Sequence, residues 1–177
     1  MIFKTTRLEV KLLQDKDQAL FYELMGNPNV TDPIPQKALS KEESNAKLKE
    51  LIQLEQTSTT RIWRITKKGE NDLIGICGVL KNEQEEEQIA YRLIERHWGN
   101  GYGTEIAKGL MDYCFEELNL LKITADVNIA NIKSLKILVK IMNPLTKFFN
   151  EKDNCIVMRF GIDKEEWEED CKLYPDK

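Results

Sequence analysis

Nine consecutive residues, Arg96-His97-Trp98-Gly99-Asn100-Gly101-Tyr102-Gly103-Thr104, constrain this chain more than any other stretch. A run of strand character (Ile89 to Ile94) leads into them, and a strongly helical run (Thr104 to Leu118) leaves them. Glycines at a strand-to-helix turn let the backbone approach a ligand closely and take φ > 0 where the turn requires it. The helix that follows offers unpaired N–H groups and the positive end of its dipole, a combination that suits an anion such as a pyrophosphate.

The remaining composition narrows the field. The chain has 177 residues, 41% hydrophobic and 32% charged, with a net charge of −4. That length suits one compact domain over residues 1–177, and no shift in composition divides it. No apolar run reaches membrane-spanning length, and Met1-Ile2-Phe3-Lys4-Thr5 lacks the apolar stretch and cleavage site of a signal peptide. Cys77, Cys114, Cys155 and Cys171 form no CxxC pair and have no histidine nearby, so they read as reduced thiols of a cytoplasmic protein. His97 is the single histidine, which argues against a His-based metal site. The acidic balance argues against nucleic acid as the main partner.

Along the chain, Arg7 to Leu13 alternates apolar and polar residues, the period of a half-buried strand. Asp15 or Asp17 can cap a helix with Ala19, Leu20, Leu24 and Met25 on its apolar face, stopped by Gly26-Asn27-Pro28-Asn29. An irregular loop over 31–39 precedes Ser40-Lys41-Glu42-Glu43, a capping-box sequence opening a second helix. Strands are expected around Ile62–Ile65, Leu73–Leu80 and Ile89–Ile94, the acidic run Glu83–Glu87 separating the last two as a solvated loop. After the glycine turn, Ile106, Leu110, Cys114 and Leu118 recur every four residues, as in a helix packed on a sheet. A strand at Lys122–Val127, a helix from Lys133 to Met142 stopped by Asn143-Pro144, and strands at 146–149 and 155–162 complete a mixed α/β domain. The acidic tail 163–170 reads as solvated.

Three kinds of phosphate loop compete for the glycine turn. A P-loop needs GxxxxGK and Ser or Thr, and no Lys stands at the required place. A Rossmann fingerprint needs a third glycine where Thr104 stands, and the turn would have to follow the first strand of several βαβ units, of which only one is available here. The pattern R-x-x-G-x-G is satisfied by Arg96, Gly99 and Gly101. With its companions, the chain resembles the GNAT superfamily of acetyl-CoA-dependent N-acetyltransferases. Within it, the chain is most similar to the branch holding the bacterial ribosomal-protein N-terminal acetyltransferases. Thr5-Thr6-Arg7-Leu8, Gly26-Asn27-Pro28-Asn29-Val30, Leu73-Ile74-Gly75, Ile89-Ala90-Tyr91-Arg92-Leu93, Trp98 to Glu105 and Lys164-Glu165-Glu166-Trp167 carry the likeness in order.

The resemblance implies a single mixed, mostly antiparallel sheet with splayed central strands and flanking helices. It implies acetyl-CoA as acetyl donor, held by Leu93, Ile94, Arg96, His97, Trp98, Gly99, Asn100, Gly101, Tyr102, Gly103, Thr104 and Asn131. In that reading the amides of 97–102 hold the pyrophosphate. The pantetheine arm pairs with the backbone near Leu93 and Ile94, where the strand at 89–94 splays from the next. The implied chemistry is direct attack of an amine on the thioester, with backbone N–H groups stabilising the oxyanion. Many relatives carry a Tyr seven residues after the Asn, but here that position is Leu138. Ser134 is therefore the acid candidate, the alternative being a helix N-terminal Ser that satisfies backbone groups. The branch's usual Glu-Lys-x-Gly-Phe is replaced by Val139-Lys140-Ile141-Met142-Asn143, so acceptor identity carries over least.

His97 would stand at the far end of the cofactor from the thioester, which favours a backbone or phosphate-edge role. Trp98 reads as a packing residue, and Tyr91 either faces the acceptor or packs in the core. A base drawn from Glu83–Glu87, Glu23 or Asp32 is compatible with the sequence, as is proton loss through water. The expected partner is a small-molecule or peptide amine, with the chain a monomer or homodimer. The rival function is a non-catalytic acyl-CoA-binding module of the same fold.

Overall fold

The computed structural model describes residues 1–57 and 60–173. Its centre is one eight-stranded sheet in the order β1-β2-β3-β4-β5-β6-β8-β7. The strands are β1 (Phe3–Lys4), β2 (Leu8–Leu12), β3 (Arg61–Lys67), β4 (Leu73–Lys81), β5 (Glu87–Leu93), β6 (Lys122–Asn128), β7 (Asn143–Asn150) and β8 (Cys155–Asp163). Every neighbouring pair is antiparallel except β5–β6, which is parallel and touches at one register pair, Gln88 with Thr124. On either side of this seam the ladders are long: β4–β5 pairs seven residues and so does β6–β8. The sheet therefore opens along most of β5, as the resemblance implies.

Helices cover both faces. On one lie α1 (Gln18–Met25), the single turn α2 (Pro28–Thr31) and α3 (Lys41–Thr57). They bury Phe21, Leu24, Val30, Leu48 and Leu51 against Leu73, Ile76 and Ile94. The other face holds α4 (Tyr102–Glu116), whose Ile106, Leu110, Met111, Cys114 and Phe115 meet Ile65, Cys77, Ile89, Leu93 and Phe160. The capping box at Ser40 forms: Ser40 N–H donates to Glu43 at 2.7 Å, and Glu43 N–H donates to Ser40 Oγ at 3.2 Å. Gly26 ends α1, and Asn27 then starts α2 by accepting the Asn29 N–H at 3.0 Å. Among the described residues no helix is long and apolar enough to cross a membrane.

After α4, three elements differ from the sequence expectations. The helix expected over 133–142 ends early, as α5 (Ile132–Leu138), because Ile141 and Met142 reach the core from a turn rather than from further helix. Asn143-Pro144 then opens β7 instead of only stopping the helix, and Pro144 is tolerated at an irregularity in the sheet's edge strand. The acidic tail is not simply solvated. It forms α6 (Lys164–Leu173), which turns its carboxylates outward and lays Trp167 on Phe115, ring centroids 5.2 Å apart, with Trp167 Nε1 donating to Asp112 at 3.1 Å. Burial also raises the Asp112 carboxyl above its ordinary range, against the pull of that hydrogen bond. Trp167→Ala should lower stability by about 1–3 kcal/mol, a partial version of a core aromatic deletion, read as a fall in Tm.

Candidate active site

The glycine turn has the geometry its composition asks for. Gly99 and Gly101 take φ of +78° and +79°, and Gly101 is the N-cap of α4 with no side chain capping the helix. A 3₁₀ turn at Glu95–His97 uses the His97 and Trp98 amides, which donate to Ile94 and Glu95 carbonyls at 2.9 and 3.0 Å. Beyond them, among the described residues, the N–H groups of Gly99 through Thr104 have no hydrogen-bond partner, while Glu105 N–H returns to Gly101 O. A run of unpartnered donors at a helix start is the arrangement that binds phosphates.

Residues distant in sequence brace this loop. Arg7 donates through Nε and its backbone N–H to Glu105, both at 2.7 Å, and Thr5 Oγ1 donates to Glu105 at 2.6 Å. Arg7 Nη1 also donates to Asn100 O at 3.0 Å, and its guanidinium covers the Tyr102 ring at 4.8 Å. From the other side, Asn27 and Asn29 donate to the Glu95 carboxylate at 2.7 and 3.0 Å, tying α2 to the loop and holding that carboxyl below its usual range.

The loop opens into a cleft of about 800 Å³ lined by Leu93, His97, Trp98, Gly99, Gly101, Tyr102, Gly103, Thr104, Asn131 and Ser134. Three of the sequence-named cofactor residues do not line it. Ile94 is buried under α1 and α3, its N–H donating to Ile74 O at 2.9 Å. Arg96 pairs with Glu23 at the surface. Asn100 turns its amide back onto the His97 and Trp98 carbonyls at 3.2 and 3.1 Å. His97 keeps Nε2 buried without a partner, and burial, with Arg96 beside it, lowers its pKa. Trp98 packs between the two core clusters and donates from Nε1 to Leu93 O at 2.9 Å. Lys133 stands over its ring at 3.8 Å.

A second cleft of about 360 Å³ reaches through the open seam to the α1–α3 side. Tyr91, Arg92, Asn131 and Ser134 line both clefts and so form the passage between them. Since Ile94 N–H is used by β4, the alternation of an antiparallel ladder turns the amide groups of Tyr91 and Leu93 toward the open seam. Asn131 caps α5, its Oδ1 accepting Ser134 N–H at 3.2 Å. The cap is thus Asn131, and Ser134 lies inside the helix. Tyr91 is the residue whose part the sequence left open. Burial pushes its hydroxyl up to about 12, further from ionisation than an ordinary phenol. That hydroxyl is buried with no hydrogen bond of normal geometry, although the Ser134 side chain is close enough to oppose the rise.

An eight-stranded mixed sheet opened at one parallel seam, with a bare-amide glycine turn at the mouth, is the architecture that the sequence resemblance implies. The comparisons agree. The model of the acetyltransferase (GNAT) domain matches residues 7–141, and the chain belongs to that family. The uncharacterized N-acetyltransferase YoaA of Bacillus subtilis is 28% identical over 142 residues, 78% of this chain and 80% of that protein. Among solved structures, a GNAT-family acetyltransferase from Bacillus anthracis superposes with a TM-score of 0.80 at 20% identity, covering 92% of this chain and 98% of that one. A Salmonella typhimurium acetyltransferase that modifies the N-terminal serine of ribosomal protein L7/L12 gives 0.74 at 15%, covering 92% and 97%. The spermidine N-acetyltransferase of Vibrio cholerae, solved with CoA and spermine, gives 0.76 at 21%, covering 91% and 98%. The chain is an acetyltransferase, and its family implies acetyl-CoA as the donor.

Proposed function

We propose that this chain transfers the acetyl group of acetyl-CoA to a primary amine inside the passage between the two clefts. The observation that carries this reading is the run of unpartnered N–H groups from Gly99 to Thr104, opening into the same cleft as the bare edge of β5. Those amides fit a pyrophosphate. The seam-facing amide groups of Tyr91 and Leu93 fit the pantetheine arm as an added strand, with Asn131 beside it. When bound, the thioester supplies an activated acyl carbon and a thiolate leaving group. An N–C bond forms from the amine, the C–S bond breaks, and the amine's proton is balanced by one gained at sulfur.

The chain's own groups have distinct parts. A seam-facing backbone N–H of β5 is aimed where negative charge develops on the carbonyl oxygen. The Ser134 hydroxyl carries a proton for the leaving sulfur, and the Tyr91 hydroxyl, protonated at neutral pH as any phenol is, donates a hydrogen bond alongside it. Leu138 lines the smaller cleft with both, so a phenol from β5 reaches the cavity in which this chain lacks the helix tyrosine. Protein N-termini and small amines both occur as acceptors among the neighbours, and the ribosomal-protein branch is one such likeness among several.

Acetyl-CoA at about 100 times its Kd should stabilise the protein by about 2.7 kcal/mol, a rise in Tm of roughly 5–10 °C for a chain of this size. Thiol release on an amine panel then separates turnover from mere binding. No rise in Tm with either acetyl-CoA or CoA would end the cofactor assignment, and a rise without turnover on any amine would leave only a binding module.

A further inference from the structure

Arg92 follows Tyr91 on β5 and therefore projects to the opposite face of the sheet, toward α1 and the loop after α2. Its Nη1 meets the Met25 sulfur at 3.0 Å, and its Nη2 donates to Gln36 Oε1 at 2.9 Å. Among the described residues no carboxylate stands within ion-pairing distance of it. The chain's other enclosed arginines are built differently. Arg64 pairs with Asp17 at 3.0 Å, and Arg159 holds Asp126 through two hydrogen bonds of 2.7 Å. Burial alone pulls the Arg92 guanidinium down to about 10, which leaves it charged at neutral pH.

Among the described residues the smaller cleft offers no unpaired carboxylate to balance that charge. Its Lys47 is paired with Glu50 at 2.8 Å, and its Asp126 belongs to Arg159. The wall that both clefts share thus carries an uncompensated positive charge. A half-buried guanidinium without a counter-ion is costly, and a carboxylate meeting its planar fork relieves that cost better than any neutral group. The cleft volume of about 360 Å³ is that of a small-molecule site.

We propose that the acetyl acceptor is a small primary amine that carries a carboxylate, an amino acid, with the carboxylate on Arg92 and the amine in the passage beside Tyr91 and Ser134. The inference rests on the acetyl-transfer reading above and leaves its bond changes as written there. It also disfavours polyamines, whose second ammonium would face the guanidinium.

The test compares amino acids with their own amides and with spermidine, using thiol release at saturating acetyl-CoA. Wild type should favour at least one amino acid over its amide by about tenfold to a hundredfold in kcat/KM, the range of a charged hydrogen-bonded pair. Arg92→Gln should erase that ratio, Arg92→Lys should keep part of it, and the KM for acetyl-CoA should stay in place in both. With CoA bound, the amino acid should raise Tm and its amide should not, a reading independent of turnover. Amides or spermidine acetylated as fast as amino acids would overturn the inference while leaving acetyl transfer intact. A raised acetyl-CoA KM in Arg92→Gln with the acceptor ratio unchanged would overturn it by assigning Arg92 to the donor. No turnover on any of these amines would reject the acetyl-transfer reading itself.

Discussion

Gly101→Val should abolish measurable acetyl-CoA binding, with Kd rising at least about a hundredfold, while the protein still folds. Gly101 sits at φ +79°, and a β-branched residue there is strained by about 1–3 kcal/mol. A Cβ at this position would meet Arg7 Nη2 at 3.3 Å, the far end of a side chain that can yield, so the backbone sets the main cost. Relief of that strain would rotate the amides of Gly101 and Tyr102 out of the bare run that faces the cleft, and the branched side chain would stand where phosphate must approach. Gly69 provides the control. It has nearly the same φ, +78°, in the turn between β3 and β4, and a Cβ there would meet nothing within 4 Å. Gly69→Val should therefore lose a similar few degrees of Tm and keep acetyl-CoA affinity. Calorimetric titration of both variants decides the matter. Equal loss of binding in the two would mean that strain alone explains it, and normal binding by Gly101→Val would remove the loop from the cofactor's grip.

The contrast between what is legible in the sequence and what is not follows from the range of the interactions. The turn announces itself because glycine is the residue that takes positive φ without penalty, and Gly99 and Gly101 do so. The Ser40 capping box is legible for the same reason, its partners lying three residues apart. Apolar periodicity reports burial rather than helix, so Ile141 and Met142 extend the expected helix past Leu138 although the chain reaches the core there through a turn. Arg96 looks like part of the phosphate loop because it stands beside it in sequence. The arginine that braces the loop is Arg7, brought in by the edge of the sheet and fixed by Glu105, and no local pattern marks that pairing. Tyr91 and Arg92 are not assignable from sequence either. Alternation on β5 puts them on opposite faces, yet the open seam makes both faces part of one passage.

Ser134→Ala and Tyr91→Phe should each lower kcat by about a hundredfold or more with little change in acetyl-CoA affinity, toward the low end of the about 10²–10⁴-fold that general acid catalysis contributes. The two hydroxyls stand side by side at the passage, and one of them is buried without a hydrogen bond, a state that costs free energy unless a bound ligand completes it. Removing the Tyr91 hydroxyl takes away an unsatisfied group, so Tyr91→Phe should hold or raise Tm even as kcat falls. Removing the Ser134 hydroxyl leaves the α5 cap in place, because Asn131 Oδ1 accepts the Ser134 backbone N–H, which the substitution keeps. A cap residue would instead cost about 0.5–2 kcal/mol on truncation. If both groups serve one leaving sulfur, the double variant should lose far less than the product of the single losses, as groups acting as a unit do. An unchanged kcat in Ser134→Ala beside a lowered Tm would return Ser134 to a structural part. Strictly multiplicative losses would place Tyr91 and Ser134 at separate steps, with Tyr91 serving the acceptor rather than the thiolate.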